Sequence, residues 1–263
     1  MVTHPLTTLS NMVMEDDEIA WLWLGQASFA YRFGNTATIL VDPYLSGEVE
    51  NSGLLTRICP EYARPEDIEG DLILVTHDHL DHFDSETVHY AVEKAGIPIA
   101  GPTSCYAHYL ALSLPTEKFT RIDRGESMQY KNILIKAVLA HHPSGDNIWD
   151  SVGFLIEFQG WKIYHVGDSE LTANLSLETS GIKPDMLVVP INGKMGNMDA
   201  EEAVSLVRTT EAALAIPMHF GMFQENTCNP HIFSKLVKET CPDSKVCIPN
   251  PLEIVEVQRG TVQ

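Results

Sequence analysis

The segment His77-Asp78-His79-Leu80-Asp81-His82 places three histidines and two aspartates within six residues. Neutral imidazole and carboxylate are the donors that first-row divalent cations prefer, and histidines at i and i+2 followed by Asp-His make a dense donor set. An apolar run, residues 72–75, leads directly into it, so these donors follow the end of a strand. Polar groups follow four other apolar runs: Asp42 after Val41, His141-His142 after Ala140, Asp168 after Val166-Gly167, and His219 after Met218. One such strand end would be weak evidence. Five together point to loops gathered at one edge of a sheet scaffold. A divalent cation held there lowers the pKa of bound water to roughly 7, which is hydrolytic chemistry at neutral pH. His141 and His142 are alternatives, because alternation along a strand sends neighbouring side chains to opposite sides.

Such donors need strands beneath them. Residues 19–24, 28–33 and 36–41 read as three strands, with a hairpin turn at Gly34-Asn35. Residues 72–75 suit a buried strand, followed by a helix capped by Asp84 or Ser85 and stopped near Gly96. A strand at 97–100 and a helix capped by Thr103 or Ser104 come next. The second half repeats the order, with a strand at 133–140, a hairpin of 152–158 and 161–166 across Gln159-Gly160, and strands at 185–191 and 213–218. Asp199 and Glu202 form a capping pattern for a helix over 200–209, and Pro230 opens a helix to about Thr240. Residues 1–18 read as a loosely structured lead-in and 46–70 as loop with little regular structure. Trp21 and Trp23 alternate with leucines and read as core. Hairpins followed by strand–helix units in each half predict an α/β protein. Its two sheets pack face to face with helices outside, as a single domain over 1–263.

Composition bounds the partners. The 263 residues are 44% hydrophobic and 20% charged, near globular averages. Lys and Arg number 17 against 36 Asp and Glu, a net charge of −19, which repels phosphate backbones and anionic lipid. With no dense basic block, the expected partner is a small molecule rather than nucleic acid or membrane. Cys59, Cys105, Cys228, Cys241 and Cys247 form no CxxC pair and read as reduced thiols of a cytoplasmic protein. No signal peptide is apparent at residues 1–18, and the apolar runs are too short to span a bilayer. A homo-oligomer is the default expectation.

His77-x-His79-x-Asp81-His82, a later histidine, Gly167-Asp168 and Pro217-Met218-His219 together resemble, in order and spacing, the five-motif pattern of the metallo-β-lactamase superfamily. The resemblance runs from Leu24 to His219 and implies an αββα sandwich with a dinuclear metal site. It implies that His77, His79 and His142 hold one ion, that Asp81, His82 and His219 hold the other, and that Asp168 bridges them. His142 rather than His141 matches the ligand place. A hydroxide between the ions would be the nucleophile, Asp81 could pass a proton to the leaving group, and Asp42 would accept hydrogen bonds beneath the histidine loop and fix ligand tautomers.

Further segments resemble the ascorbate 6-phosphate lactonase-like hydrolases: Trp23-Leu24-Gly25-Gln26-Ala27-Ser28-Phe29, Asp42-Pro43-Tyr44, Asp150-Ser151-Val152-Gly153 and Pro217-Met218-His219-Phe220-Gly221-Met222-Phe223. That branch implies opening of a lactone, or a related ester of a small and possibly phosphorylated sugar-like metabolite. Manganese or zinc would be the ion, with iron also fitting such ligands. A phosphodiesterase acting on a small molecule is the alternative on the same site, and a non-catalytic metal- or partner-binding protein is the alternative outside enzymes. Asn192 and Lys194 follow a strand and are expected at the site mouth, touching substrate.

Overall fold

Every residue of the first strand is buried, because one face of its sheet meets a second sheet and the other is covered by helices. The computed structural model describes residues 3–143 and 149–257. Its first half runs α1 (Pro5–Ser10), β1 (Ile19–Gly25), β2 (Ser28–Phe33), β3 (Ala37–Val41), α2 (Glu48–Asn51), β4 (Leu72–Leu74), α3 (Ser85–Glu93), β5 (Ile99–Gly101), α4 (Thr103–Ala111) and β6 (Phe119–Arg121). The second half runs β7 (Ser127–Tyr130), β8 (Ile133–Leu139), β9 (Val152–Phe158), β10 (Trp161–His165), α5 (Ala173–Thr179), β11 (Met186–Pro190), α6 (Ala200–Thr210), β12 (Leu214–Met218), α7 (Pro230–Thr240), β13 (Lys245–Val246) and β14 (Val255–Val257).

The strands form two mixed sheets, ordered β14-β1-β2-β3-β4-β5-β6 and β13-β12-β11-β10-β9-β8-β7. Alternation sorts β1 between two cores. Trp21 and Trp23 point to the core between the sheets with Phe29, Phe154 and Ile163, while Leu22 and Leu24 join Val88, Ala91 and Tyr109 from the covering helices. Burying each such side chain contributes about 1.5–3 kcal/mol, so the two-faced burial of one strand anchors two layers at once. The expected sandwich, with helices outside both sheets, is the fold observed.

Both hairpins form where the turn residues suggest. Gln159 and Gly160 take φ of 46° and 84°, the two left-handed positions of a tight hairpin, and β9 and β10 pair antiparallel across them. The capping box of α6 is present, with Asp199 accepting from the Glu201 and Glu202 amides and Glu202 reaching back to the Asp199 amide.

Two expectations need correction. The lead-in is not loosely structured throughout: residues 5–10 form α1, begun by Pro5 and capped by the His4 ring, and Leu6 and Leu9 are wholly buried against the first sheet. Residues 46–70 are mostly loop, as expected, with only the short α2 and one turn of 3-10 helix within them. Neither Thr103 nor Ser104 caps α4. Asp123 Oδ1 accepts the Thr103 amide (2.8 Å) and Asp150 Oδ2 the Ser104 amide (2.7 Å), so carboxylates from two later segments do the capping.

β3, β4, β5 and β6 are parallel to one another, as are β10, β11, β12 and β13. Their C-terminal ends open at one edge of the sandwich, which is where such sheets gather functional groups.

Candidate metal centre

β4 ends in a buried Val75-Thr76 step, and the loop after it turns back on itself through the His82 and Phe83 amides, which donate to the His79 carbonyl. That turn folds His77, His79, Asp81 and His82 into one cluster. β10 delivers Asp168, β12 delivers His219, and the segment after β8 delivers His142. Donor atoms of His77, His79 and His142 lie within 4.8 Å of one another, as do those of His77, His82 and Asp168, and those of Asp81, His82 and His219. All seven expected ligands therefore converge.

Three of the rings are aimed by a hydrogen bond on the far side. His82 Nδ1–H donates to Asp42 Oδ2 (2.7 Å), leaving Nε2 toward the cluster. Asp42 is fully buried and also accepts the Thr76 amide (2.7 Å) and hydroxyl (2.6 Å). The Thr76 oxygen is then free to accept from His77 Nδ1 (3.0 Å), which turns His77 Nε2 inward. His142 Nδ1–H donates to the Gly196 carbonyl (3.1 Å), and its Nε2 sits 3.2 Å from His79 Nδ1, itself 3.0 Å from His77 Nε2. So the placement expected of Asp42 is observed, and Thr76 and Gly196 act beside it without having been foreseen.

The two histidines after β8 part company. His142 is buried among the other rings, whereas His141 packs at a tilt against Trp149 (4.8 Å between rings) and lies 3.5 Å from Glu170. Backbone ties enforce the split. The His141 amide donates to Ser169 Oγ (2.8 Å), and Ser151 Oγ donates to the His142 carbonyl (2.9 Å).

Asp168 stands between the two halves. Its Oδ2 is 3.2 Å from His219 Nε2 and 3.9 Å from His142 Nε2, and its Oδ1 is 3.5 Å from His82 Nε2. Among the described residues neither His82 Nε2 nor Asp168 Oδ1 has a hydrogen-bond partner, although both are buried. Buried polar atoms left unpaired are costly, and inward-facing imidazole nitrogens 3.0–3.2 Å apart cannot all be satisfied by protons. A cation satisfies them together, so this donor set fits divalent metal.

The electrostatics agree. Burial pushes the His77 and His79 imidazoles below their ordinary range, aided by the neighbouring rings, so both are neutral donors. The other half is a cluster of ion pairs. Burial alone would raise the Asp81 and Asp168 carboxyls, but the charges of His82 and His219 hold both well below the usual carboxylate range. Burial likewise opposes the His219 imidazolium, yet Asp168, with help from Asp81, carries its pKa up to about 9. Protons there balance the carboxylates as a cation would.

Of the two residues expected to touch substrate, the structure shows both engaged in tying loops together. Asn192 Nδ2 donates to Asn226 Oδ1 (2.6 Å) and the Lys194 carbonyl (3.1 Å), and Lys194 Nζ donates to the Glu225 carbonyl (2.9 Å). Exposed apolar side chains lie on neighbouring segments. Trp149 is 59% exposed against His141, and Met195 is 56% exposed beside Gly196.

Gln26 was not foreseen. It occupies the β1–β2 turn, fully buried, with Nε2–H donating to Asp81 Oδ2 (3.0 Å) and lying 3.4 Å from His219 Nδ1. Its sequence signals are a Gly-Gln turn between two strands and its place in the lactonase-like segment Trp23–Phe29, and neither assigns it a contact with the donors.

Comparison with known proteins places this geometry. A family model described as a beta-lactamase superfamily domain matches residues 21–219. A UPF0173 metal-dependent hydrolase of Thermococcus onnurineus is 32% identical over 243 residues, covering 89% of this chain and 98% of its own. Among solved structures, Igni18, a metallo hydrolase from Ignicoccus hospitalis, superposes with a TM-score of 0.73 at 22% identity, covering 92% of this chain and 99% of its own. CmlA, a diiron beta-hydroxylase from Streptomyces venezuelae, superposes with a TM-score of 0.70 at 16% identity over 93% of this chain and 54% of its own. At those identities the two structures speak to the fold alone.

Proposed function

Because the chain belongs to the beta-lactamase superfamily, and is a metal-dependent hydrolase within it, we propose that it opens a lactone or related ester of a small metabolite at a dinuclear centre. The observation carrying the dinuclear reading is the pair of donor groups, His77/His79/His142 and Asp81/His82/His219, with Asp168 between them. Divalent cations, manganese or zinc by ligand type, would supply a nucleophile at neutral pH and polarise the substrate oxygen.

The chain's own residues would do the rest. Asp168 holds the two halves at fixed separation. Asp42 keeps the proton of His82 on Nδ1, away from the cluster. The Asp81 side chain is 16% exposed, against 6% for Asp168, so Asp81 is the carboxylate with access to carry a proton to the leaving group. Trp149 and Met195 offer apolar surface to a ring or acyl chain. The Lys194 ammonium is engaged by the Glu225 carbonyl and the surface is strongly acidic, which favours an uncharged lactone over a phosphodiester. The lactonase-like segments around Trp23–Phe29 and Pro217–Phe223 support the same substrate class. All five cysteines are unpaired, which suits a reducing, cytoplasmic setting.

The test is elemental analysis of protein purified without added metal, then a lactone panel beside a chromogenic phosphodiester, each with and without chelator. Lactone turnover that is lost on chelation and restored by manganese or zinc is expected. Undiminished turnover after chelation would sink the reading, and preference for the diester would replace its substrate class.

A further inference from the structure

Gln26 lies outside the seven donors, yet it touches two donors of one half of the centre, Asp81 and His219. Its Nε2–H donates to Asp81 Oδ2 (3.0 Å) and sits 3.4–3.5 Å from the two ring nitrogens of His219. Its backbone carbonyl accepts the His219 amide (3.1 Å) and the Trp23 indole N–H (2.9 Å). Its side-chain oxygen is buried and has no hydrogen-bond partner among the described residues. Its φ is 47°, a left-handed conformation that a non-glycine residue adopts only when its surroundings hold it there. The His219 backbone is left-handed too, at 63°. So two uncommon backbones meet through one hydrogen bond, and the same residue's amide holds the neighbouring carboxylate.

We propose that Gln26 is a positioning residue for the Asp81/His219 half of the centre, fixing the carboxylate through its side chain and the histidine through its main chain. The proposal rests on the dinuclear reading above. An amide suits the position because it donates without carrying charge. A carboxylate there would repel Asp81, and a cation would pair with Asp81 and compete with the metal for it. Asp81 Oδ2 is also 3.4 Å from His219 Nε2, so a carboxylate left to rotate would close onto the imidazole and not stay aimed at a cation. Side chains that orient metal ligands typically change metal affinity by about 10–100-fold when lost.

Cobalt(II) is the probe, because its visible bands report each site's geometry as it fills. Wild-type protein and the near-isosteric Gln26→Met and Gln26→Glu variants are stripped of metal and titrated with cobalt chloride, with thermal melting of the stripped proteins measured alongside. The expected result is two equivalents bound by wild type. In Gln26→Met one equivalent binds unchanged, while the other binds about 10–100-fold more weakly with shifted bands. Gln26→Glu should lose more of that weakened equivalent than Gln26→Met, since it adds like charge beside Asp81. A variant that melts earlier but keeps wild-type affinity and bands at both sites shows a merely structural role and overturns the proposal. If one variant fails to fold, the other decides. Wild type that takes a single equivalent overturns the dinuclear reading and this proposal with it; two equivalents in wild type and in both variants, unchanged, overturn this proposal alone.

Discussion

Asp42 and His219 both take left-handed backbones, with φ of 47° and 63°, and both sit where a strand hands over to a site loop. Such residues cost on the order of 1–3 kcal/mol each and persist where the surroundings over-determine them. At Asp42 the surroundings are the Thr76 amide and hydroxyl and the His82 ring. Asp42→Asn keeps the shape but puts an N–H where one of these donors now points, so His82 loses its fixed tautomer. Metal affinity should fall by about 10–100-fold, read by competition with a chelator. His219 supplies a pH prediction. With its pKa raised to about 9 by Asp168, it holds a proton at neutral pH that a cation must displace. Metal affinity should therefore climb as pH rises toward about 9 and level off above it. In the metal-free protein the sign is opposite. The ion pairs of His219 stabilise the fold fully below the unfolded imidazole's pKa of roughly 6.5, and that contribution is lost as pH rises through about 9. Denaturant melts of stripped protein at several pH values would check it. Trp149→Ala should raise KM for an apolar lactone more than it lowers kcat, because it removes binding surface and no donor.

At the scale of elements, the loops after the strands decide which donors meet. The 192–198 loop holds His142 through the Gly196 carbonyl, and Gly196 has φ of +81°. A Cβ there would lie 3.0 Å from His142 Nδ1, so Gly196→Ala both strains the backbone and pushes the ring. The metal held by His77, His79 and His142 should weaken while the Asp81/His219 half is spared, a split visible in a cobalt titration. Asp150 shows how one element braces another. It precedes β9 yet caps α4, so Asp150→Ala should cost about 1 kcal/mol of unfolding free energy. The helix over 200–209, the Gln159-Gly160 hairpin and the helix from Pro230 were readable because their caps and turn residues are local. The cap of α4 was not, because Asp123 and Asp150 come from elsewhere in the chain. Leu6 and Leu9 of α1 were not either, since a single short turn shows its apolar face only once a sheet lies beneath it.

For the whole molecule, the centre joins the two sheets. Asp42 and the 77–82 loop come from the first, His142, Asp168 and His219 from the second, so cations bound between them should stabilise the sandwich as a unit. At a free concentration 100 times Kd, one bound ion adds about 2.7 kcal/mol, and the melting temperature should rise with added manganese or zinc and drop on chelation. His79→Ala should lose most of that rise while the metal-free fold melts close to wild type. The sequence by itself determined the donor types, their order, the strand that precedes each, and hence the sandwich and its metal chemistry, because strand periodicity and ligand chemistry are local properties. Only the tertiary structure set His142 rather than His141 among the other donors, engaged Asn192 and Lys194 in tying loops together, and brought Gln26 to Asp81 and His219. Those outcomes depend on which backbone carbonyl or carboxylate lies on the far side of each side chain, and that partner arrives from a distant part of the chain.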